Sequence, residues 1–439
     1  MIEKLFILLM VSNFVWLIFL ALQYFSLKTL PEKYLSLSVK YFSIYMTAIS
    51  FILFVVTWLH SPAFLFLDYS DWFAVGEYSF KSRFIVDLLG STYSLLSAAL
   101  ISIIFKYSQN YLHREQGYFR FIFLLSILLF GLNVICFSRA LDILFIGWEL
   151  VGTTSVLLIG YFYYQVQPVK HALKAIISYR ICDTGILAAA AWSHHYLHST
   201  DFMIMPQILH HHAHGTVALF FIGLFIIWGS LAKGGQLPMS SWLPTAMEGP
   251  TPSSAIFYGA LSVHLGPFLL LRFYDFFSHF PALLWIIGII GGLTAVYASL
   301  VGRTRSDAKT MLAYATISQV GIMLIEIALG FTNFAIFHMV AHASLRTYQF
   351  LRSASLIQDF TDNPVVEQNV YIRKSLAIEK YFSKEFKRRG YIHALHGFHL
   401  DYFTNRTLAF LSMPAKAIIK VEQKWMDMDN KIVKFLVKR

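Results

Sequence analysis

Apolar segments long enough to cross a lipid bilayer recur along most of the chain. A membrane-spanning helix needs about 20 apolar residues, and eleven segments meet this requirement: 5–24, 42–60, 84–105, 119–137, 141–163, 171–193, 217–234, 252–272, 282–302, 311–330 and 333–357. Hydrophobic residues make up 57% of the 439 residues and charged residues only 13%, against about 25% charged residues in soluble domains. The sequence therefore predicts an all-α polytopic membrane protein with about 11 transmembrane helices.

The polar stretches divide the chain into three parts. Residues 1–80 hold two spans and most of a segment, 61–83, that is predicted to be an ordered external loop. Residues 81–358 hold the other nine spans and form the predicted core. Residues 359–439 are a basic, amphipathic tail of the kind that lies on the membrane surface or docks against a partner. The net charge of +11 lies mainly in this tail and in short loops, which indicates contact with membrane lipid and not with nucleic acid.

Lysine and arginine are distributed unevenly between the loops. They are frequent in loops that follow odd-numbered segments, namely Lys28, Lys33, Lys40, Lys106, Arg114, Arg120, Lys170, Lys174, Arg303, Arg305 and Lys309. The loops after even-numbered segments hold Lys81, Arg83 and Arg139. Because short loops rich in lysine and arginine stay in the cytoplasm, we predict an external N-terminus and a cytoplasmic tail.

One apolar segment ends in a lysine beside a predicted helix break. Lys233 is followed by glycines and prolines that interrupt helical hydrogen bonding, and two more prolines precede the next segment. The predicted break residues are Gly234, Gly235, Pro238, Pro250 and Pro252. A lysine beside a break in a membrane helix is costly and typical of an ion or proton path. The alternatives are a lysine that reaches the membrane interface and a structural ion pair.

Acidic and basic residues interrupt two further apolar segments. Glu149 lies in the middle of the fifth segment. Arg180 and Asp183 lie three residues apart on the sixth segment, so they share a helix face and are predicted to form a structural ion pair. Desolvation disfavours a charged amine and a nearby carboxylate favours it, so movement of Glu149 relative to Lys233 would load and unload a proton.

Three polar residues share one face of the eleventh segment. His338, His342 and Arg346 recur at four-residue spacing. Histidine titrates near neutral pH and passes a proton between its two nitrogens, so the two histidines indicate a proton relay. The guanidinium stays protonated, so Arg346 orients water and sets the local field without carrying the proton. The alternative is a pair of core histidines with satisfied hydrogen bonds.

A histidine-rich segment and two cysteines are the other candidates for chemistry. Seven histidines lie between residues 194 and 214, and His194 and His198 have the spacing of helical metal ligands. No cysteine or carboxylate cluster completes a site there, so a solvated, pH-sensitive external loop is the main interpretation and no metal is predicted. Cys136 and Cys182 fall inside apolar segments and are predicted to be buried thiols. Phosphate loops, nucleophile triads and dinucleotide fingerprints are missing from the sequence, so we predict neither a catalytic site nor a cofactor in this chain.

Ordered motifs between Arg83 and Leu356 resemble one known family. They are Phe84-Ile-Val-Asp87, Glu115-Gln-Gly-Tyr-Phe-Arg120, Gly147-Trp-Glu-Leu-Val-Gly152, Ser178-Tyr-Arg-Ile-Cys-Asp183, Trp242-Leu-Pro-Thr-Ala-Met-Glu-Gly-Pro-Thr-Pro252, Asp307-Ala-Lys-Thr-Met-Leu-Ala-Tyr-Ala-Thr-Ile-Ser-Gln319 and Ile336-Phe-His-Met-Val-Ala-His-Ala343. These motifs are similar to those of the large proton-channel subunits of respiratory complex I, NuoL in bacteria, and of the MrpA antiporter subunits. The resemblance implies two inverted five-helix repeats, each with one broken helix, in a multi-pass protein of the bacterial inner membrane.

The resemblance also implies roles for individual residues. Glu149 matches the channel glutamate, and Lys233 matches its lysine partner on the first broken helix. His338 and His342 match the histidines of the second broken helix. The predicted proton pathway consists of Glu149, Lys233, His264, His338, His342, Arg346 and Lys309.

Three features depart from the family pattern. Arg346 stands where the family has a lysine, and Tyr258 stands where it has a histidine, with His264 six residues later as the other candidate. The family continues with further spanning helices that carry a lysine on the exit half of the path, whereas this sequence passes into its basic tail. A shortened chain of this kind resembles the DabB proteins, which are the membrane subunits of inorganic carbon accumulation systems.

Three functional hypotheses are compatible with these features. The first is a proton-conducting subunit that drives CO2/bicarbonate uptake with a DabA-like partner, a protein similar to zinc β-carbonic anhydrases, so that zinc would lie in the partner. The second is a proton-pumping subunit of a complex I-like respiratory complex or a subunit of an Mrp-type cation/proton antiporter. The third is a structural anchor whose ionisable residues no longer conduct.

Overall fold

The computed structural model describes most of the chain. The described residues are 1–25, 30–61, 64–75, 78–208, 215–353, 383–400, 402 and 406. They belong to two compact units, Met1–Ala377 and Ile378–Arg439. In the second unit the structure describes one helix, Lys384–Leu395, with a short 3-10 turn after it. Apart from residues 383–400, 402 and 406, the predicted amphipathic tail lies outside the described residues. The predicted boundaries near residues 80 and 358 stay predictions.

Helices dominate the first unit. In chain order they are α1 (Ile2–Phe25), α2 (Glu32–Leu59), α3 (Leu88–Tyr111), α4 (Tyr118–Phe137), α5 (Leu141–Ile159), α6 (Val166–Leu197), α7 (Met205–Ile208), α8 (Gly215–Lys233), α9 (Trp242–Thr245), α10 (Thr251–Ser254), a π-helical segment (Ala255–Ala260), α11 (Leu265–Arg272), α12 (Tyr274–Ser278), α13 (Pro281–Gly302), α14 (Ala308–Ala328) and α15 (Thr332–Ser353). Each of the eleven predicted spans coincides with one of the long helices or with the α10–α11 run.

Eight of the described helical segments are long and apolar enough to cross a membrane. This confirms the prediction of a helical, multi-pass membrane protein. The other three predicted spans correspond to α6, α8 and α15. Helix α8 is a shorter apolar helix by this measure, over Val217–Lys233, and α6 and α15 carry more polar residues. The total of eleven spans therefore stays a prediction.

A β-hairpin occupies the segment predicted as an external loop, which corrects the all-α prediction. Strands β1 (Leu65–Val75) and β2 (Tyr78–Val86) pair antiparallel, with two irregularities in their register. Leu67 is buried and its neighbour Phe66 is exposed, the alternation expected of a strand. Register shifts interrupt that alternation, which is why the sequence pattern does not reveal it. Because β2 continues to Val86, α3 begins four residues later than predicted.

Two arginines and two aspartates fasten the hairpin to the helical connections. The side chain of Asp201 is 1% exposed and lies 2.7 Å from Arg139 Nη2, between α4 and α5. Arg83 on β2 reaches the same carboxylate at 3.4 Å. Asp68 on β1 lies 3.0 Å from Arg139 and is 55% exposed. Asp201 is therefore the buried centre of this ion-pair cluster.

Replacing Asp201 with alanine should lower the free energy of unfolding by about 3 kcal/mol, because the buried Arg139 then loses its main carboxylate. Asp68→Ala is the matched control, since loss of a largely exposed partner costs about 1 kcal/mol or less. Thermal unfolding of both variants in detergent measures the difference. An equal fall in unfolding temperature for the two variants would contradict the central place of Asp201.

Helices α13 and α14 approach each other so closely at two glycines that a side chain at either position would clash with the other helix. A Cβ atom at Gly291 would lie 2.5 Å from the Gly321 carbonyl oxygen, and one at Gly321 would lie 2.6 Å from the Gly291 oxygen. Only glycine fits at both positions. This contact holds α14, which carries Gln319 and Glu326, against α13.

Two helical runs are interrupted, and the interruptions touch each other. Helix α8 ends at Lys233, and Gly235 then adopts a φ of +61°, a conformation that favours glycine. The second run passes from α10 through the π-helical segment and a turn into α11. A Cβ at Gly266 of α11 would lie 2.9 Å from the Gly234 Cα. The end of α8 therefore lies against the helix that begins just after His264.

The predicted break residues lie at these interruptions. Gly234 and Gly235 follow α8 directly, and Pro238 lies in the connection to α9. Pro250 is the N-cap of α10, and Pro252 lies in its first turn, where a missing N–H costs no helical hydrogen bond.

The resemblance placed a second broken helix at His338 and His342, and this is wrong for the described residues. Helix α15 is continuous from Thr332 to Ser353. The physical reason is visible in its sequence, which contains neither glycine nor proline between those residues. The second interruption lies instead in the α10–α11 run.

Candidate functional site: buried ionisable groups beside the interrupted helices

Lys233, the last residue of α8, is fully buried. Its Nζ lies 3.4 Å from Oδ1 of Asp183 on α6. Trp148 Nε1 donates a 2.7 Å hydrogen bond to the same oxygen. The amine also lies 4.7 Å and 4.8 Å from the ring centroids of Trp148 and Tyr179, positions that stabilise a cation. Because the side chain has no exposed surface, Lys233 does not reach the membrane interface.

The predicted ion pair between Arg180 and Asp183 is wrong. Arg180 Nη1 pairs with the Glu149 carboxylate, and Asp183 pairs with Lys233. Residues three apart are neighbours on a helix, but their pairing depends on how the helix is rotated in the bundle. Helix α6 turns Asp183 inward, where it is 2% exposed, and leaves the Arg180 side chain 47% exposed. The carboxylate in contact with Lys233 is therefore Asp183 and not Glu149.

Glu149 lines a cavity of about 440 Å³ whose other walls are mostly apolar side chains of α4 and α5. Its side chain is 22% exposed, and its Oε2 contacts Arg180. Its other oxygen, Oε1, is buried without a hydrogen-bond partner among the described residues. The Glu149–Arg180 pair is thus more exposed than the Lys233–Asp183 pair.

Small and hydroxyl-bearing residues of α5 separate Lys233 from the turn between the π-helical segment and α11. A Cβ at Gly152 would lie 3.1 Å from Lys233 Nζ, so the amine lies against the backbone of α5. Ser155 lies three residues further on the same helix face. Its Oγ is 3.5 Å from the Oγ of Ser262, two residues before His264. Polar groups therefore lead from the amine toward the histidine.

His264 and His342 form a hydrogen-bonded pair inside the bundle. His264 is fully buried and His342 is 6% exposed. His264 Nε2 lies 2.9 Å from His342 Nδ1, while its Nδ1 contacts the Ala260 carbonyl oxygen. Arg346 Nε donates a 3.1 Å hydrogen bond to His342 Nε2. Arg346 is held in turn by Gln349, which accepts a 2.7 Å hydrogen bond from Nη1.

His338 occupies a separate polar site one turn earlier on α15. Its Nδ1 lies 2.8 Å from Glu326 Oε1, and its Nε2 lies 3.1 Å from Gln319 Oε1, both on α14. The ring centroids of His338 and His342 are 6.0 Å apart. A water molecule or a rotation of one ring would connect the two sites.

A cavity of about 1010 Å³ lies between α13, α14 and α15. Its wall includes Gln319 and Gln349, the hydrogen-bond partners of His338 and Arg346. Arg303 and Arg352 also line it. The cavity therefore borders a glutamine of each of the two sites.

The structure places two members of the predicted pathway, His264 and Lys309, differently with respect to the site. His264 contacts His342, whereas Tyr258 packs against Trp242 at a centroid distance of 5.8 Å, so His264 takes the position beside the α15 histidine. Lys309 is not brought to the site. It lies in the first turn of α14, ten residues before Gln319 and about 15 Å away along the helix axis.

The histidine-rich segment is only partly described. His194 on α6 lies 3.2 Å from Asp142 on α5, and Thr200 contacts the same carboxylate. His198 ends α6 in the left-handed conformation. Residues 209–214 lie outside the described part of the chain. Within the described part, no group of three or more metal-ligating side chains occurs.

Sequence reasoning missed several contributors to the site, including Ser155, Ser262 and Glu326. The sequence predicts a structural pair for Asp183 and gives no role to Trp148, Gln319 or Gln349. Trp148 lies beside Glu149 in one of the motifs, which is a signal that sequence analysis can use. Gln319 ends another of the motifs, but only the approach of α14 to α15 gives it its partner His338. Gln349 lies three residues after Arg346 on α15, a helical spacing that sequence analysis can also use.

The fold and the site define a helical multi-pass membrane protein with a chain of buried ionisable groups beside interrupted helices. Residues 138–380 match the family described as NADH:quinone oxidoreductase/Mrp antiporter, TM. The match covers more than half of the chain, and the chain belongs to this family.

Curated relatives named as quinone oxidoreductase subunits share about a third of the aligned residues. The chain is 31% identical over 312 residues to NADH-quinone oxidoreductase subunit L of Escherichia coli strain K12, covering 70% of this chain and 50% of that protein. It is 32% identical over 300 residues to the chloroplastic NAD(P)H-quinone oxidoreductase subunit 5 of Piper cenocladum, covering 67% and 40%. The chain thus spans half or less of the length of these curated relatives.

Two solved structures share the fold. The structure of the Mrp complex from Dietzia sp. DQ12-45-1b contains a chain with a TM-score of 0.66 and 23% identity, covering 78% of this chain and 37% of that one. The archaeal membrane-bound sulfane sulfur reductase contains another, with a TM-score of 0.67 and 19% identity, covering 79% and 69%.

Proposed function

We propose that this chain is a proton-translocating subunit of a multi-subunit membrane complex. The observation that carries the proposal is the contact of a fully buried amine, Lys233, with the buried carboxylate of Asp183 at the end of an interrupted helix. Ionisable side chains inside a membrane are costly and mark ion and proton paths. The chain has no predicted catalytic site of its own, so it would act by moving protons for its complex.

The proposed path follows polar side chains from one interrupted helix to the other. Its members are Asp183, Lys233, Ser155, Ser262, His264, His342 and His338, with Glu149 at the first end. Water would complete the steps that exceed hydrogen-bond length. The other end of the path, at His338, lies near the cavity between α13, α14 and α15. The loop charges predict that this cavity is on the cytoplasmic side.

The exposed ion pair supports membership in a complex. The Arg180 side chain is 47% exposed on a helix that we propose to span the membrane. An exposed guanidinium is expensive against lipid, so a partner subunit that covers α5 and α6 would remove this cost. Relatives named as quinone oxidoreductase subunits, and a fold shared with a chain of an Mrp complex, make respiratory or Mrp-type subunits the favoured partners.

Coupling to CO2/bicarbonate uptake through a DabA-like zinc protein is the finer prediction from the sequence. The named relatives are quinone oxidoreductase subunits, so this role stays a prediction. Purification of the native complex in mild detergent separates the two possibilities. Quinone-oxidoreductase or Mrp-type subunits in the purified complex would support the favoured partners, and a zinc-binding partner would support carbon uptake.

The span count, the repeats and the membrane orientation belong to the same proposal. We propose eleven spans in two inverted five-helix repeats, an external N-terminus, a cytoplasmic tail and a location in the bacterial inner membrane. The coincidence of each predicted span with a helical run supports the span count. Cysteine accessibility at the α13–α14 loop and at the β-hairpin, measured in intact cells, tests the orientation, because the two regions should react from opposite sides.

Proton movement itself is tested in vesicles that contain the purified complex. We expect internal acidification, reported by a pH-sensitive dye, when the complex is driven by its substrate or by an imposed potential. Abolition by a protonophore controls for dye artefacts, and replacement of sodium by choline separates proton from sodium dependence. A complex that is active with its substrate and moves no protons would overturn the proposed function.

A further inference from the structure

The hydrogen bonds around His342 fix where its proton lies. Arg346 Nε lies 3.1 Å from His342 Nε2, and a guanidinium only donates hydrogen bonds. His342 Nε2 must therefore accept, which leaves the ring neutral with its proton on Nδ1. That nitrogen faces His264 Nε2 at 2.9 Å. His342 is thus the donor in the histidine pair.

The same argument fixes the proton on His264. Its Nε2 accepts from His342, so its own proton lies on Nδ1, which faces the Ala260 carbonyl oxygen. A carbonyl oxygen only accepts, so this contact agrees with the assignment. The interruption of the helix makes the carbonyl available, because the backbone N–H of His264 bonds to Leu261 O at 3.2 Å. All three hydrogen bonds therefore point from Arg346 toward Ala260.

We propose that Arg346 holds the His342–His264 pair in this single hydrogen-bond order, and that a proton enters the pair only when the guanidinium leaves His342 Nε2. Both nitrogens of His342 are occupied, one by Arg346 and one by His264. An incoming proton from the side of His338 needs Nε2, because that is the one nitrogen of His342 without a proton. Arg346 is therefore a positioning residue that locks the pair.

The cavity beside Gln349 offers room for a second position of the Arg346 guanidinium. Gln349 holds Nη1 at 2.7 Å and lines the large cavity, so the guanidinium lies between the histidine pair and open space. Arg346 itself is only half-buried, whereas His342 is buried. Rotation of Arg346 toward the cavity would free His342 Nε2 and expose it to water or to His338. A lysine at this position can donate to His342, but it lacks the planar group that meets His342 and Gln349 together.

Nitrogen-15 NMR of the full chain in lipid nanodiscs, labelled at the histidine rings, reports the proton positions directly. His264→Gln and His342→Gln identify the two ring signals by their loss. At neutral pH we expect both rings neutral and protonated on Nδ1. In Arg346→Gln the single order should be lost, and His342 should show protonation on Nε2. Arg346→Lys keeps a cation that only donates and should preserve the order.

Arg305→Gln is the control, because it removes another arginine that lies near Tyr314 and away from the pair. It should leave both ring signals unchanged. A protonated Nε2 on His342 in the unmodified chain, an imidazolium at neutral pH, or an unchanged spectrum in Arg346→Gln would each overturn the lock. The lock contributes to transport only if the proposed function holds. The NMR experiment needs no transport, so failure of one can be told from failure of the other.

Discussion

Proton flux through the reconstituted complex should fall about 100-fold when Lys233 is replaced by alanine, the usual scale for removal of a positioned proton-transfer group. The amine is fully buried, and it contacts Asp183 at 3.4 Å. Alanine leaves neither a proton carrier nor a charge at the end of α8. Dye-reported acidification of vesicles, normalised to the amount of assembled complex, measures the loss.

A fall in stability has to be separated from a loss of transport. Removing Lys233 alone leaves Asp183 as an uncompensated buried charge, which costs about 3 to 5 kcal/mol. The double variant Lys233→Met with Asp183→Asn removes both charges and keeps an acceptor for Trp148. We expect this variant to assemble close to normally and still to conduct no protons.

The matched lysine control lies on α6. Lys170 is exposed, so Lys170→Ala should assemble and conduct like the unmodified chain. Normal flux in both Lys233→Ala and the double variant would show that the amine has a structural role only. The anchor hypothesis would then be the better description of this chain.

The helical segments were accessible from sequence because they depend on local composition. A run of about 20 apolar residues can satisfy its backbone in a bilayer only as a helix, and every predicted run coincides with one. The break after Lys233 was accessible for the same reason, since Gly234 and Gly235 act on their own backbone. The hairpin at Leu65–Val86 was not, because its register shifts remove the alternation by which a strand is recognised.

Pairing between helices was the part that sequence could not give. Spacing places Arg180 and Asp183 on one face of α6, but rotation of that helix in the bundle decides which partner each one meets. The observed rotation sends Asp183 to Lys233 and Arg180 to Glu149. Packing of α6 against both α5 and α8 sets the rotation, and no single segment carries that information.

Residue spacing alone could not decide whether Tyr258 or His264 lies beside the α15 histidine, because a π-helical segment precedes His264. The residues from Ala255 to Ala260 form a π-helical turn, which contains more residues than an α-helical turn and so changes the faces of the residues after it. In the observed helix, Tyr258 packs against Trp242, and His264 turns toward α15. A regular 3.6-residue repeat carried through this segment gives the wrong register.

The second large effect on proton flux is expected at His264. Replacing His264 with phenylalanine removes the group between Ser262 and His342, so the polar chain from α5 to α15 is interrupted. We expect proton flux to fall about 100-fold, as for other positioned proton carriers. The measurement is the same vesicle assay, with flux normalised to assembled complex.

His264→Gln separates a proton carrier from a structural hydrogen bond. A glutamine amide both donates and accepts, so it can bridge the Ala260 carbonyl and His342, but it does not take up a proton near neutral pH. We therefore expect stability near that of the unmodified chain together with a loss of flux close to that of the phenylalanine variant. His279→Phe, at an exposed position after α12, is the matched control and should conduct normally. Full flux in His264→Gln would mean that the pair only holds α11 against α15, and that protons pass Lys233 by a route that avoids the second interrupted helix.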